Sequence, residues 1–91
     1  MTETTLTITH PHGLHARPAA DLYRKTREFR SAITFRNLSR PESPEVTASV
    51  FNLLQLGIVC GHRIRIRAEG EDEREAISAL DLLARHELCK G

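Results

Sequence analysis

Arg63-Ile64-Arg65-Ile66-Arg67-Ala68 alternates charge and hydrocarbon with a period of two. That period belongs to an extended strand, with the two isoleucines and Ala68 on one face and the three arginines on the other. A strand with one apolar and one polar face fits an antiparallel sheet covered on one side and wet on the other. The same alternation recurs upstream. Leu6 and Ile8 oppose Thr5, Thr7 and Thr9, Ile33 and Phe35 oppose Thr34 and Arg36, and Val46 with Ala48 marks a short third strand. On this reading the basic stripe of Arg63, Arg65 and Arg67 is a solvated sheet face.

Between the strands the period changes to that of a helix. From Ala16 to about Arg30, Ala16, Ala19, Ala20, Leu22, Tyr23, Thr26 and Phe29 fall on one side, and Asp21, Arg24, Lys25 and Glu28 gather opposite. A short helix runs from Ser49 to about Leu56 and is closed by Gly57. A last helix starts after Gly70 with Glu71, Asp72 and Glu73, acids suited to the positive end of a helix dipole, and buries Ala76, Ile77, Leu80, Leu83, Ala84 and Leu88. Asn37 to Glu45, with Pro41 and Pro44, reads as the loop between the second and third strands. The element order is β-α-β-β-α-β-α, an α+β fold.

Composition narrows the function. At 91 residues and 40% hydrophobic content the chain fits a single domain, spanning 1–91. Thirteen Lys and Arg against twelve Asp and Glu, with an aromatic fraction of 4% and no Trp, argue against a nucleic-acid or anionic-membrane binder. The N-terminal residues do not read as a signal peptide, and no apolar run approaches the ~20 residues that span a bilayer. Cys60 and Cys89 are too few for a disulfide framework and lack metal-pair spacing. A cytoplasmic, monomeric protein is the expectation.

The chemistry lies in His10-Pro-His-Gly-Leu-His-Ala-Arg-Pro-Ala-Ala20, between the first strand and the first helix. Gly13 permits a sharp turn, and Pro18 suits the first helical turn, where its missing N–H costs nothing. His15 then falls at the N-cap, with the free N–H groups of Ala16 and Arg17 and the dipole favouring an anion on its ring. Arg17 adds a guanidinium that grips two oxygens of a phosphoryl group. Histidine is a poor N-cap, so a purely structural role explains His15 badly. His10, His12 and His15 invite a metal reading, but no nearby Cys or carboxylate completes a ligand set, and no metal or other cofactor is expected.

Gly13-Leu14-His15-Ala16-Arg17-Pro18-Ala19 resembles the active-site signature of the HPr family, the histidine phosphocarriers of the bacterial phosphoenolpyruvate-dependent phosphotransferase system. Ser49-Val-Phe-Asn-Leu-Leu-Gln-Leu-Gly-Ile58 resembles the family's second-helix segment, and Ala68-Glu-Gly-Glu-Asp-Glu73 its entry to the last helix. The resemblance covers nearly the whole chain. It implies an open-faced β-sandwich, a four-stranded antiparallel sheet with three helices on one face. It also implies that His15 accepts a phosphoryl group on Nδ1 from phosphorylated Enzyme I, with Arg17 stabilising the transferring group, and passes it to EIIA-type domains in sugar uptake. His12 departs from the family, where a small polar residue such as Ser or Asn is common, yet its ring can still donate a hydrogen bond to the phosphoryl group. The Asn37–Glu45 loop is a few residues longer than usual, and Cys60 stands where many relatives are more polar.

Val50, Phe51, Leu53, Leu54, Leu56 and Ile58 surround well over half of the short helix, more than one buried face needs. The resemblance makes Val50, Phe51 and Leu54 a partner-docking patch, completed by Ala20, Arg24 and Arg27 of the first helix. Ser49 is a natural helix cap. It also matches the family serine that HPr kinase/phosphorylase modifies in some lineages. No general acid–base pair or carboxylate cluster for Mg²⁺ is apparent, so a stoichiometric carrier is expected rather than a turnover enzyme. The alternatives are a nitrogen-branch or regulatory paralogue acting through protein contacts and Ser49, or a domain of a larger multiphosphoryl-transfer protein.

Overall fold

The computed structural model describes residues 1–89. Its elements are β1 (Thr2–Thr7), α1 (Ala16–Thr26), β2 (Ala32–Asn37), β3 (Val46–Thr47), α2 (Val50–Gln55), β4 (Arg63–Glu69) and α3 (Glu73–Leu88). The expected βαββαβα order holds. The strands form one antiparallel sheet in the order β1-β4-β2-β3, which makes the alternating Arg-Ile segment an interior strand. Its register sets Ile64 opposite Leu6 and Ile66 opposite Phe35. Leu6, Ile33, Phe35, Ile64, Ile66 and Ala68 are buried, and with Leu22, Leu53 and Leu80 from the three helices they form one core. Each fully buried Leu or Ile contributes about 1.5–3 kcal/mol by leaving water.

The first and third strands end at Thr7 and Thr47, short of Ile8, Thr9 and Ala48, and two helices also differ from the sequence expectation. The first helix stops at Thr26 instead of Arg30. The Thr26 hydroxyl donates to the Tyr23 carbonyl at 2.6 Å, and the amides of Glu28 and Phe29 reach back only three residues, so the last turn tightens and ends. Phe29, beyond the helix, still packs on the core. The last helix begins at Glu73, because Asp72 is drawn away. Its carboxylate accepts from the Arg30 amide at 2.8 Å, the Ser31 amide at 3.0 Å and the Ser31 hydroxyl at 2.5 Å. Those bonds hold the Asp72 carboxyl below its ordinary value, with the Ser31 hydroxyl as the leading cause.

The basic stripe is not simply solvated. Arg63 is exposed, but the side chains of Arg65 and Arg67 retain only 16% and 30% of their accessibility. Flanking strands on both sides, and Glu45 beside β3, crowd the guanidinium groups.

Three contacts fix the loop between β1 and α1. The Leu88 carbonyl, at the end of α3, accepts from the amides of Thr9 and His10, both at 2.9 Å. The Leu14 amide donates to the Ile58 carbonyl at 3.0 Å, just after α2. Gly13 makes the turn between them with a φ of 61°. A Cβ there would lie 2.4 Å from the Ile58 carbonyl oxygen and 2.7 Å from the Val59 Cα, so both the conformation and the space require glycine.

Candidate phosphoryl-transfer site

His15 occupies the N-cap of α1 in extended conformation, and its side chain makes no capping bond. Its carbonyl accepts the first helical bond, from the Ala19 amide at 3.0 Å. The imidazole is exposed, and its Nδ1 lies 3.3 Å from the Gly13 carbonyl oxygen. The amides of Ala16 and Arg17 have no hydrogen-bond partner among the described residues, and Pro18 has no N–H to leave unpaired. Two open amides at a helix N-terminus, beside an exposed Arg17, form a receptive place for an anion on the His15 ring. The first turn contains no acidic residue to oppose it.

His10 and His12 gather at the same ring. The His10 and His12 centroids lie 5.6 and 6.0 Å from that of His15, and 5.4 Å from each other. The His12 amide donates to His10 Nδ1 at 3.1 Å, which fixes that ring. His12, expected from the sequence to face the phosphoryl group, therefore lies beside His15, and His10, to which the sequence reading gave no role in the site, lies there too. Among the described residues, no group of three or more His, Cys, Asp or Glu side chains is arranged to hold a metal ion.

The neighbouring surface divides as the helix pattern implied. On α2, Leu53 is buried, Val50 is half-buried, and Phe51 and Leu54 retain 69% and 41% of their accessibility. Leu56 and Ile58, which follow the helix, turn back into the core. Ala20 is half-buried, and Arg24 and Arg27 are exposed. Their i, i+4, i+7 spacing puts all three on one side of α1. Arg24 pairs with Asp21, while Arg27 donates to the Tyr23 hydroxyl at 2.9 Å. The Ser49 hydroxyl accepts from the Asn52 amide at 3.0 Å and caps α2.

Asn37 is the residue that sequence reasoning missed. Fully buried, it donates from Nδ2 to the Leu56 carbonyl at 3.0 Å, lies 3.1 Å from His62 Nδ1, and accepts the Ser39 amide at 3.0 Å. It ties β2 to the end of α2 and so positions the exposed side of that helix. Its only sequence signal is a polar residue at the position where a buried one continues the alternation of Ile33 and Phe35.

A half-covered antiparallel sheet with an exposed histidine at the N-terminus of its first helix is the architecture of the histidine phosphocarriers. The family model described as the PTS HPr component phosphorylation site matches residues 2–85. The phosphocarrier protein HPr of Buchnera aphidicola is 37% identical over 91% of this chain and 94% of its own. A multiphosphoryl transfer protein of Haemophilus influenzae is 45% identical over 84% of this chain, which spans only 15% of that relative's length. The solved histidine-containing phosphocarrier protein of Mycoplasma superposes with a TM-score of 0.86 at 30% identity, covering 94% of each chain. The chain belongs to the HPr family, the phosphocarriers of the bacterial phosphotransferase system. Among the described residues no helix is long and apolar enough to cross a membrane.

Proposed function

We propose that residues 1–91 act as one phosphocarrier domain in which His15 accepts a phosphoryl group from phosphorylated Enzyme I and hands it to an EIIA-type domain during sugar uptake in the cytoplasm. The observation that carries this reading is the exposed His15 ring beside the open amides of Ala16 and Arg17, in a chain of this family. In the transfer, the Nδ1 lone pair attacks phosphorus as the bond to the donor on Enzyme I breaks, and the electron pair leaves with the donor. The reverse exchange passes the group onward, and the carrier is regenerated unchanged. Arg17 and the Ala16 amide face the phosphoryl oxygens, and His12 supplies a ring N–H in place of the small polar side chain common in the family.

Ala20, Arg24, Arg27, Val50, Phe51 and Leu54 form the docking surface for both partners. Ser49 is the regulatory position, modified by HPr kinase/phosphorylase where that enzyme is present. A phosphate there adds about −1.5 to −2 charges next to Val50 and Phe51, which must be desolvated for docking.

Incubation with phosphoenolpyruvate and Enzyme I, followed by intact-mass measurement, tests the reading. One phosphoryl group per chain supports it, and an unchanged mass refutes it. The 45% identity to a multiphosphoryl transfer protein supports a second reading, in which this chain works as the HPr domain of a larger transfer protein. Rates measured with free Enzyme I and with a fused donor domain distinguish the two.

A further inference from the structure

The face of the sheet turned away from the helices holds an arrangement that phosphoryl transfer at His15 does not use. Arg36 of β2 and Arg65 of β4 are paired directly across the sheet, and Arg67 is one pleat away, opposite Thr34 and Glu3. Directly opposed like charges are destabilising, because side chains in such pairs stand only about 4.5–5.5 Å apart at Cβ. The carboxylates nearby do not resolve the crowding. One oxygen of Glu45 lies 3.6 Å from both Arg65 Nη2 and Arg67 Nη1, and Glu3 lies 3.5 Å from Arg67 Nε. These separations exceed the roughly 2.7–2.9 Å of a charge-assisted hydrogen bond.

Glu45 is held back because its other oxygen accepts from the Thr34 hydroxyl. Arg36 has no carboxylate partner among the described residues, only the Pro41 carbonyl at 3.4 Å. The Nε atoms of Arg36, Arg65 and Arg67 are all buried without a hydrogen-bond partner among the described residues. Buried polar groups are normally paired, so three such atoms in one cluster mark an interaction not yet made.

We propose that this face is a binding site for a small phosphate-class oxyanion, seated on the guanidinium groups of Arg65 and Arg67, with Arg36 alongside, in the place that Glu45 half-fills. Its tetrahedral oxygens accept from two or three guanidinium groups at once, which a single carboxylate tethered to Thr34 does not achieve. Binding relieves the Arg36–Arg65 repulsion and frees Glu45 to turn to solvent. The site suits a small ion rather than a polyanion. Glu3, Glu45 and Glu69 stand on the same face and repel an extended acidic chain, and the net charge of the whole protein is only +1. None of the strand positions on this face is aromatic, so bases find nothing to stack on.

The test is an NMR titration of the full chain with inorganic phosphate and with pyrophosphate, at ionic strength held constant with chloride. Side-chain Nε–H resonances of Arg36, Arg65 and Arg67 and the amides of β2 and β4 are expected to move with the phosphate probes and not with chloride. Whichever probe binds more tightly sets whether the site takes one phosphoryl group or two. Arg65→Gln is expected to weaken binding about tenfold through loss of one charged donor, and Glu45→Gln to tighten it by a similar factor through loss of the competing charge.

Circular dichroism checks that each variant is folded, and the gain in Glu45→Gln is an effect that unfolding does not imitate. His15→Ala is expected to bind with unchanged affinity, which keeps this site separate from the phosphocarrier reading. Shifts of equal size with chloride, shifts confined to His15 and Arg17, or unchanged or weaker binding by Glu45→Gln would each overturn the proposal.

Discussion

The Nδ1 atom of His15 faces the carbonyl oxygen of Gly13 at 3.3 Å. A carbonyl only accepts, so this contact is attractive when Nδ1 carries the ring proton and the lone pair sits on Nε2. The proposed transfer through Nδ1 requires that proton to move through solvent to Nε2 and the ring to turn away from Gly13. The exposure of the ring leaves room for the turn, while the Gly13 and Leu14 amides stay anchored on the His10 and Ile58 carbonyls. The site is therefore an exposed ring on a fixed loop.

The fixed loop is directly testable at Gly13. Gly13→Ala meets both a φ of 61° and backbone atoms of Ile58 and Val59 closer than 3.0 Å. It should cost about 1–3 kcal/mol in urea denaturation and displace the His15 loop. Gly61→Ala, where the φ is also positive but no atom lies within 4 Å, should cost less. Equal costs at the two positions would remove the close approach from the account.

Phe51 and Leu53, two residues apart, should separate docking from packing. Phe51→Ala removes a side chain that is 69% exposed and should change stability by less than about 0.5 kcal/mol while slowing transfer from Enzyme I. Leu53→Ala removes one that is 1% exposed and should cost about 2–5 kcal/mol. Thermal denaturation alongside transfer rates measures both, and a large stability loss for Phe51→Ala would move that residue into the core.

Ser49 carries a cap that stands whether or not it is modified. Ser49→Ala should lose about 1 kcal/mol of stability and leave transfer nearly intact. Ser49→Asp should keep or raise Tm, since a helix N-terminus favours an anion, yet weaken transfer by charging the edge of the docking surface. Equal transfer rates for wild type and Ser49→Asp would reduce Ser49 to a cap.

Acid stability has a defined sign. The Glu73 carboxyl is lowered from 4.5 to about 2, first by the Thr2 hydroxyl at 2.6 Å and then by the Met1 ammonium and the Gly70 amide. A carboxyl lowered in the folded state stabilises fully above its unfolded value, and that contribution is lost as pH falls from 4.5 toward about 2. Thr2→Val should make this acid loss shallower, read from Tm against pH. An unchanged slope would exclude the Thr2 contact as its cause.

The parts of the fold legible in sequence are those written in short-range periods. Arg63 to Ala68 alternates strictly, and its strand bounds follow almost residue for residue. The N-cap position of His15 is legible because Gly13, Ala16, Arg17 and Pro18 each act on their immediate neighbours. What was not legible depends on long-range partners. Asn37 finds Leu56 and His62 19 and 25 residues away. Asp72 leaves its expected place in the helix to bind Arg30 and Ser31, 42 and 41 residues back. The half-burial of Arg65 likewise depends on which strands flank β4, which its own alternation does not state.

The central claim rests on one nitrogen-bearing ring among three that lie within 6.0 Å of one another. The measurement is intact mass after incubation with phosphoenolpyruvate and Enzyme I, for wild type, His15→Ala, His10→Ala and His12→Ala. Wild type and the His10 and His12 variants should each gain one acid-labile, base-stable phosphoryl group, with His12→Ala slower if its ring steadies the transferring oxygens. His15→Ala should gain none. A phosphoryl group on His15→Ala, or its loss from His10→Ala, would contradict the account.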